Sequence, residues 1–158
     1  MANGTSTNFL APQGFQLGIQ AFPDVGFYAQ QCSIPGITLP NAIQSTRFSD
    51  IPVAGDKMQW DNFTINFMVD ANMANYLAIW TWLTNLGHVS DDTSFDHNKQ
   101  TSTGVMQILG ANNVAIRTVF FEDLLPISLQ TINFTSTDSD VTYIQGVCEF
   151  MYSTYRIV

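Results

Sequence analysis

Residues 51–87 constrain the fold more than any other part of the chain, because they contain two different hydrophobic periods in succession. A turn comes first, at Pro52, Gly55 and Asp56, where glycine supplies backbone angles that other residues avoid. Residues 60–69 then alternate with a period of two, which predicts a strand with one apolar face. That face consists of Phe63, Ile65, Phe67 and Val69.

A helix is predicted from Asn72 to Leu86, where apolar residues recur at helical spacing. Asp70 or Asn72 can cap its first turn, and Gly87 is suited to end it. The main apolar stripe consists of Met73, Tyr76, Leu77, Trp80, Leu83 and Leu86.

No Asp, Glu, Lys or Arg occurs between Ala71 and Gly87, although an ordinary surface helix carries charge opposite its apolar stripe. Ile79 and Trp82 instead add apolar area beside the main stripe. We therefore expect the helix to be buried against its own sheet and also against another subunit. A helix tucked into the protein's own core is the alternative. The residues expected to pack between subunits are Met73, Tyr76, Ile79, Trp80, Trp82 and Leu83.

The composition is typical of a single domain that is covered by neighbours. A chain of 158 residues can bury its own core, so residues 1–158 are predicted to form one domain. Only 11% of the residues are charged, against roughly a quarter in ordinary soluble domains. A dispersed monomer normally carries more surface charge, so this composition favours an assembly.

The charge balance argues against a protein that grips nucleic acid. The formal net charge is −8, and tight phosphate binding requires clusters of basic residues. The five basic residues are scattered singly, at Arg47, Lys57, Lys99, Arg117 and Arg156. An acidic surface is compatible with nucleic acid that slides past without sticking.

Neither a secretory signal nor a membrane span is evident in the sequence. Residues 1–8 are small and polar and are predicted to form a flexible arm, and no apolar run reaches the roughly 20 residues of a span. Cys32 and Cys148 lie far apart, and in a cytoplasmic product we expect them to be reduced and buried.

The remaining segments predict an antiparallel β protein. Strands are predicted at residues 14–22, 26–34, 105–109, 114–121, 125–134 and 141–155. The first pair is expected to form a hairpin, and so is the last pair. Glu122 and Asp123 separate two strands, and a slip of the apolar face near Gln130 predicts a β-bulge. The predicted fold class is mainly β (α+β), an antiparallel β-barrel or sandwich with one flanking α-helix.

Two long polar segments are predicted outside the sheets. Residues 41–57 predict a projecting loop or hairpin, with a disordered insertion as the alternative. Residues 88–104 predict an acidic loop. This loop contains His88, Asp91, Asp92, Asp96 and His97. The glycine turn of a calcium loop and the ligand spacing of a zinc site are missing there, so a solvated loop is favoured over a metal site.

The sequence contains no convincing active site. A G-x-S-x-G elbow and a glycine-rich phosphate loop are both missing. Glu122, Asp123 and Glu149 are better explained as turn and sheet residues than as paired catalytic carboxylates. The prediction is a non-enzymatic protein with no catalytic residue, no metal and no cofactor.

The segment VAGDKMQWDNFTINFMVD and the helix after it resemble the tail tube proteins of contractile-tailed bacteriophages and their baseplate-side relatives. In that family a Gly-Asp turn leads through an aromatic residue into a strand, which ends in an acidic residue before a helix containing Trp. The matching residues are Gly55, Asp56, Trp60, Phe63, Thr64, Ile65, Asp70 and Trp80. The preceding hairpin, which ends in a Cys before PGITLP, is similar as well.

This resemblance implies a virion structural protein that forms homo-hexameric rings. Sheets from the subunits would merge into an inner barrel, and the rings would stack on themselves or on related tube proteins into a channel for DNA. The implied location is the phage tail, after assembly in the host cytoplasm. Sheath and baseplate proteins are the implied partners, DNA would pass without specific binding, and no membrane is involved. The chain would belong to the tube itself or to its baseplate-proximal initiator.

The resemblance also implies that the segment before the Gly-Asp turn bridges to the adjacent ring. The bridging residues would be Ile43, Arg47, Phe48, Asp50 and Lys57. Strand alternation predicts that four polar residues face the lumen, namely Gln130, Asn133, Gln145 and Glu149.

Two other functions remain open at this stage. A small-molecule or glycan-binding β-sandwich would use Trp60, Trp80 and Trp82 as stacking platforms. A hydrolase would hold a metal in the acidic loop.

Overall fold

The fold is known from a computed structural model that describes residue 10 and residues 14–21, 29–87, 101–110, 112–136 and 143–158. Within these ranges the chain forms eleven strands and one helix. The strands are β1 (Phe15–Ile19), β2 (Ala29–Cys32), β3 (Ile37–Thr38), β4 (Asn41–Ser45), β5 (Asp50–Ala54), β6 (Gln59–Trp60), β7 (Phe63–Met68), β8 (Ser102–Leu109), β9 (Ala115–Leu129), β10 (Gln145–Met151) and β11 (Thr154–Ile157). The helix is α1 (Ala74–Gly87). The predicted class, mainly β with one flanking helix, is confirmed.

One long strand, β9, belongs to both layers of the structure. Its first part pairs with β8 and β11, and its last part pairs with β10. The sheet order is β1-β8-β9-β10-β7-β2, with β11 added beside β9, and every pair is antiparallel. Within the described ranges β1 and β2 are outer strands that do not pair with each other, so the sheet is open rather than a closed barrel.

The passage of β9 between the layers takes place at Asp123. This residue has a φ of 54°, a left-handed conformation that Asp tolerates better than most residues. The Ser153 hydroxyl donates a hydrogen bond to its carboxylate at 2.8 Å. The sequence predicted that the strand breaks here. The structure shows that the strand bends at Asp123 and continues. One left-handed residue redirects the chain, while the residues before and after it remain paired.

The predicted bulge near Gln130 lies elsewhere in the structure. β9 ends at Leu129, and the register between β9 and β10 shifts between Glu149 and Phe150. Pro126 lies at this irregularity as the Cα partner of Phe150, and proline cannot donate to the ladder. The phase slip in the sequence therefore marks the end of a strand.

The core lies between the two layers. Phe63 on β7 stacks on Phe121 of β9 with ring centroids 4.4 Å apart, and both side chains are fully buried. The alternation predicted for β7 is confirmed, since Phe63, Ile65 and Phe67 are buried while the intervening residues are only half-buried. Gly146 on β10 leaves room for the Phe67 ring, which would lie only 2.7 Å from an added Cβ.

The pairing predicted for the last two strands is confirmed, since β10 pairs with β9, but two other predictions were wrong. β1 does not form a hairpin with β2, since β1 pairs with β8 and β2 pairs with β7. The predicted final strand is two strands, because the chain turns at Tyr152 and Ser153 and β11 joins the other layer. Alternation states which face of a strand is apolar, but it carries no information about the neighbouring strand.

Some predicted segments lie outside the described residues. They include the arm at residues 1–8 and residues 88–100 of the predicted acidic loop, with the metal candidates His88 and His97. The last residues of that predicted loop belong to β8, which begins at Ser102.

Candidate assembly surfaces

The start of α1 is fixed by one buried amide. Asn75 is 2% exposed, and its carbonyl oxygen accepts hydrogen bonds from the backbone N–H of Asp70 at 3.1 Å and of Tyr76 at 2.9 Å. Its amino group donates to the Met68 carbonyl at 2.7 Å. Asp70 and Asn72 were the predicted caps, whereas Asn75 makes the side-chain contacts that join the end of β7 to the helix. An apolar side chain here would leave these groups unpaired.

The two sides of α1 are both apolar, but only one is buried within the subunit. Ile79 and Trp82 point into the core, where the Trp82 ring lies 6.1 Å from that of Phe150. Leu77 and Trp80 are 56% and 49% exposed. Part of the main stripe in the sequence therefore faces outward, whereas Tyr76 and Leu86 of that stripe pack against the core, as Ile79 and Trp82 do. Hydrophobic periodicity finds a stripe but cannot choose between two of similar strength.

The outward side of α1 forms one wall of a groove of about 590 Å³, which we call the helix groove. Its helical wall consists of Met73, Tyr76, Trp80 and Leu83, and its other wall consists of Leu129, Gln130, Thr131, Ile132 and Phe134. An adjoining depression of about 250 Å³ shares Met73, Ile132 and Phe134 and adds Asp70. Asp70, in the smaller depression, is the one charged residue among the described residues that line the two depressions.

The second wall of this groove was not identified from the sequence. Residues 130–134 were expected to continue a strand, and Gln130 and Asn133 were expected to face a lumen. Gln130 instead lines the helix groove, and Asn133 is an exposed residue between Ile132 and Phe134 of the same wall. The slip of the apolar phase at Gln130 was the available signal, and it was assigned to a bulge rather than to the strand end.

The face of β7 and β10 that points away from the core is polar, and we call it the polar sheet face. Gln145 and Glu149 lie on it, because the alternate residues Gly146, Cys148 and Phe150 are buried. Its members on β2, β7 and β10 are Gln31, Thr64, Asn66, Met68, Gln145, Val147 and Glu149. Glu149 is the only charged residue in that set.

Residues 41–54 form a hairpin of β4 and β5 that extends from the body, and we call it the hairpin. Every residue of both strands is exposed. Ile43 lies opposite Pro52 on one face and Ala42 opposite Val53 on the other, so both faces carry apolar groups. At the tip Phe48 is 92% exposed.

The other predicted bridging residues lie at the tip, along the flank and near the base of the hairpin. The Arg47 guanidinium lies over the Phe48 ring at 5.9 Å from its centroid. Asp50 accepts a hydrogen bond from the Ser45 hydroxyl at 2.8 Å, and Lys57 is exposed beyond the end of β5.

The base of the hairpin is closed where β4 and β5 meet the body. The Gly55 N–H donates to the Pro40 carbonyl at 2.7 Å, and β3 pairs with β6 below this point. Gly55 was predicted for its backbone freedom, but its φ is not positive. Glycine is required there because a Cβ would collide with the Pro40 carbonyl oxygen.

An aromatic cluster attaches this base to the body. The Tyr152 hydroxyl donates to the Asp61 carbonyl at 2.8 Å, and the Tyr155 hydroxyl donates to the Pro35 carbonyl at 3.1 Å. The Trp60 ring packs edge-on against Tyr155 with centroids 5.2 Å apart. These contacts fix the direction of the hairpin without burying it.

The three tryptophans do not form a common platform. Trp60 packs against two tyrosine rings, Trp82 is buried, and Trp80 is half-exposed in the wall of the helix groove. The stacking arrangement expected for a glycan-binding module is therefore not formed.

The ionisable side chains offer no chemical centre within the described ranges. Burial raises the pKa of the Cys32 thiol to about 11, and burial together with the nearby Glu149 carboxylate raises the pKa of Cys148 to about 12. Both cysteines are free, as expected, and protonated at neutral pH. The residues described contain no group of side chains suited to a metal ion, and their helix is too short to cross a bilayer.

Solved structures with the same arrangement come from contractile particles. This chain is similar to one chain in the six-fold symmetrised structure of the anti-feeding prophage baseplate, with 15% identity, a TM-score of 0.69 and coverage of 97% of both chains. It is also similar to a chain of the PVC sheath-tube complex, an extracellular contractile injection system in its extended state. That similarity has 12% identity, a TM-score of 0.70 and coverage of 97% of this chain and 93% of the other. This protein shares its fold with one chain of each of these particles.

A third structure extends this similarity to the end of such a particle. A chain of the PVC sheath/tube terminator has 12% identity and a TM-score of 0.71, with coverage of 97% of this chain and 99% of that one. No family model matches the sequence, and no curated protein matches it either. The fold is therefore shared across nearly the whole chain at low sequence identity.

Proposed function

We propose that this chain is a structural subunit of a contractile tail tube, or of the ring that begins the tube at the baseplate, and that six copies form each ring. The observation that carries this proposal is the extent of the structural similarity, which covers 97% of this chain and 93–99% of the tube-complex and terminator chains. The protein acts by assembly and catalyses no reaction.

Ring closure in this proposal uses the outer strands. β1 and β2 each have one hydrogen-bonding edge without a strand partner among the described residues. Pairing β1 of one copy with β2 of the next would satisfy both edges and join the sheets around the ring.

The polar sheet face then lines the lumen. Gln145 and Glu149 lie on it, and its side chains are uncharged apart from Glu149. Such a surface lets DNA pass without binding, and the net charge of −8 adds a general repulsion of phosphates. Gln130 and Asn133 lie beside the helix groove, so they contribute to the lumen less directly.

The other two exposed surfaces contact further proteins. The hairpin contacts the adjacent ring through Ile43, Arg47, Phe48 and Asp50, with Lys57 at its base. The outward side of α1 packs on a neighbouring subunit or on the sheath. Phage tails, with sheath and baseplate proteins as partners and assembly in the host cytoplasm, are the setting that we propose.

The proposal is tested by electron microscopy and light scattering of the purified protein over a range of concentrations. Rings with a central hole and a mass of six subunits are expected. Stacked rings would favour a tube subunit, and isolated rings would favour the initiator. A single subunit mass at every concentration, with no rings on an offered baseplate, would contradict the proposal.

A shortened chain tests the role of the hairpin. Because Gly55 and Pro40 already share a hydrogen bond, residues 41–54 can be replaced by an Asn-Gly turn between them. We expect the circular dichroism spectrum and the rings to persist and the stacks to disappear. Long tubes formed by the shortened chain would show that the hairpin does not join rings.

A further inference from the structure

The hairpin tip combines a cation and an aromatic ring in a position that the subunit itself leaves uncovered. Phe48 is 92% exposed, and Arg47 lies over its ring at 5.9 Å. The tip is held in one geometry, since the Thr46 N–H and the Ser49 carbonyl form a hydrogen bond of 3.1 Å. An exposed aromatic ring on a defined turn is typical of a group that fills a pocket on a partner.

The helix groove offers an apolar site for the aromatic ring of the tip, and the depression beside it carries a charge opposite to that of Arg47. Its apolar walls include Met73, Trp80 and Phe134, and its volume of about 590 Å³ can hold a phenylalanine side chain. Asp70 lies in the adjoining depression and supplies the single charge, which is opposite in sign to Arg47. The chain has only five basic residues, so few of its cations could pair with Asp70 in a contact between two copies.

We propose that the hairpin tip of one copy inserts into the helix groove of a second copy. Phe48 fills the apolar part, and the Arg47 guanidinium pairs with the Asp70 carboxylate. This inference rests on the proposed function, because it names the receiving surface for the contact between copies.

The direction of this contact has a structural consequence. The tip and the groove are different surfaces, so each copy inserts one tip and receives another. The contact therefore does not close on itself as the contact in a two-fold dimer would. A heterologous contact of this kind propagates from one copy to the next. It therefore suits the growth of a stack, in which every subunit above meets one below.

Cross-linking between two singly substituted proteins tests the proposal. One protein carries Ser49→Cys, at an exposed position of the tip that leaves Phe48 in place, and the other carries Gln130→Cys, at an exposed position on the groove wall. Cys148 is buried and Cys32 is half-buried, so both native thiols are less accessible than the two introduced ones. After mixing under oxidising conditions, mass spectrometry measures the disulfide between the two proteins.

The matched control replaces Gln130→Cys by Val114→Cys, which is 65% exposed and lies outside the groove. We expect about tenfold more mixed disulfide with the groove position, because docking raises the local thiol concentration. Equal yields from the two positions would overturn the proposal.

A charge exchange gives a second, independent measurement. Arg47→Asp and Asp70→Arg should each raise the protein concentration needed for stacking by about tenfold, and the double variant should recover most of that loss. Arg117→Asp, at an exposed position on β9, is the control and should leave stacking unchanged. A double variant as defective as the singles would contradict the pairing of these two residues.

The two proposals fail in different ways. Rings that form normally while the cross-link stays at the control level would overturn the tip-in-groove contact and leave the tube function standing. If the wild-type protein forms no rings and the cysteine variants give no cross-link above the control level, both proposals are overturned.

Discussion

β7 and the hairpin are both short antiparallel segments rich in apolar residues, yet their environments are opposite. In β7 every second side chain is buried, whereas every residue of β4 and β5 is exposed. An isolated two-stranded hairpin is marginally stable in water, so residues 41–54 depend on their base for stability, and the side chains of both strands stay exposed in the subunit. β7 therefore belongs to the part of the chain that folds the subunit, whereas the hairpin remains available for assembly.

The connection between these two regions is short and well defined. Trp60, Tyr152 and Tyr155 pack together where the hairpin leaves the body, and the two tyrosine hydroxyls donate hydrogen bonds to backbone carbonyls. The anchor joins the base of the hairpin to the body, although none of the side chains at the tip is buried. A tip held in one direction would lose less entropy on docking than a flexible loop would.

The same substitution in the two regions gives the largest expected contrast. Phe63→Ala removes a fully buried ring that stacks on Phe121, and we expect a loss of about 3–5 kcal/mol in the free energy of unfolding. Phe48→Ala should change it by less than about 0.5 kcal/mol, because the ring contacts mainly solvent. Urea unfolding under conditions where the protein is monomeric measures both. Equal losses would mean that the tip is packed within its own subunit.

Removing the amide between β7 and α1 should have the next largest effect. Asn75→Ala leaves the Met68 carbonyl and the Asp70 N–H without their partner, at a cost of about 1–3 kcal/mol. Asn85→Ala, at an exposed position on the same helix, is the control and should be close to neutral. Thermal unfolding compares the two. If both variants melt together, then Asn75 does not hold this junction.

The anchor of the hairpin base should respond more weakly. Tyr152→Phe removes the hydroxyl that donates to the Asp61 carbonyl, and a loss of about 1 kcal/mol is expected. The control is Tyr143→Phe, because this side chain is 72% exposed. Amide hydrogen exchange should also become faster in β3 and β6 of the Tyr152→Phe variant. Unchanged exchange there would separate the hydroxyl from the stability of the base.

The smallest effect at neutral pH comes from the thiols. The folded-state pKa of Cys148 is raised from 9.0 to about 12 and that of Cys32 to about 11, so the folded protein holds these protons more tightly than the unfolded chain does. Unfolding free energy should therefore be flat with respect to these groups below pH 9 and should fall as the pH rises from about 9 towards 12.

A thiol reagent at pH 8 examines the same contrast directly. Phe48→Cys should react at once, whereas Cys148, which is fully buried, should react only after unfolding. Rapid reaction of Cys148 would show that the core around β10 opens.

Local patterns account for much of what could be predicted. The alternation in β7, the single uncharged helix and the polar excursion before Gly55 are all read from neighbouring residues, and each corresponds to an observed element. The resemblance to tail tube proteins rested on these same segments. The side of α1 that faces the core was harder to predict, because its two apolar stripes differ little in hydrophobicity.

What remained inaccessible depends on contacts between distant residues. β1 and β2 have suitable strand patterns, but their partners, β8 and β7, lie far away in the sequence, and alternation does not identify them. The helix groove exists only because β9 ends at Leu129 beside the outward face of α1. Periodicity determines which residues lie on an apolar face, since it follows from the local geometry of helix and strand. Packing determines which of these residues are buried, since the space available depends on every other element at once.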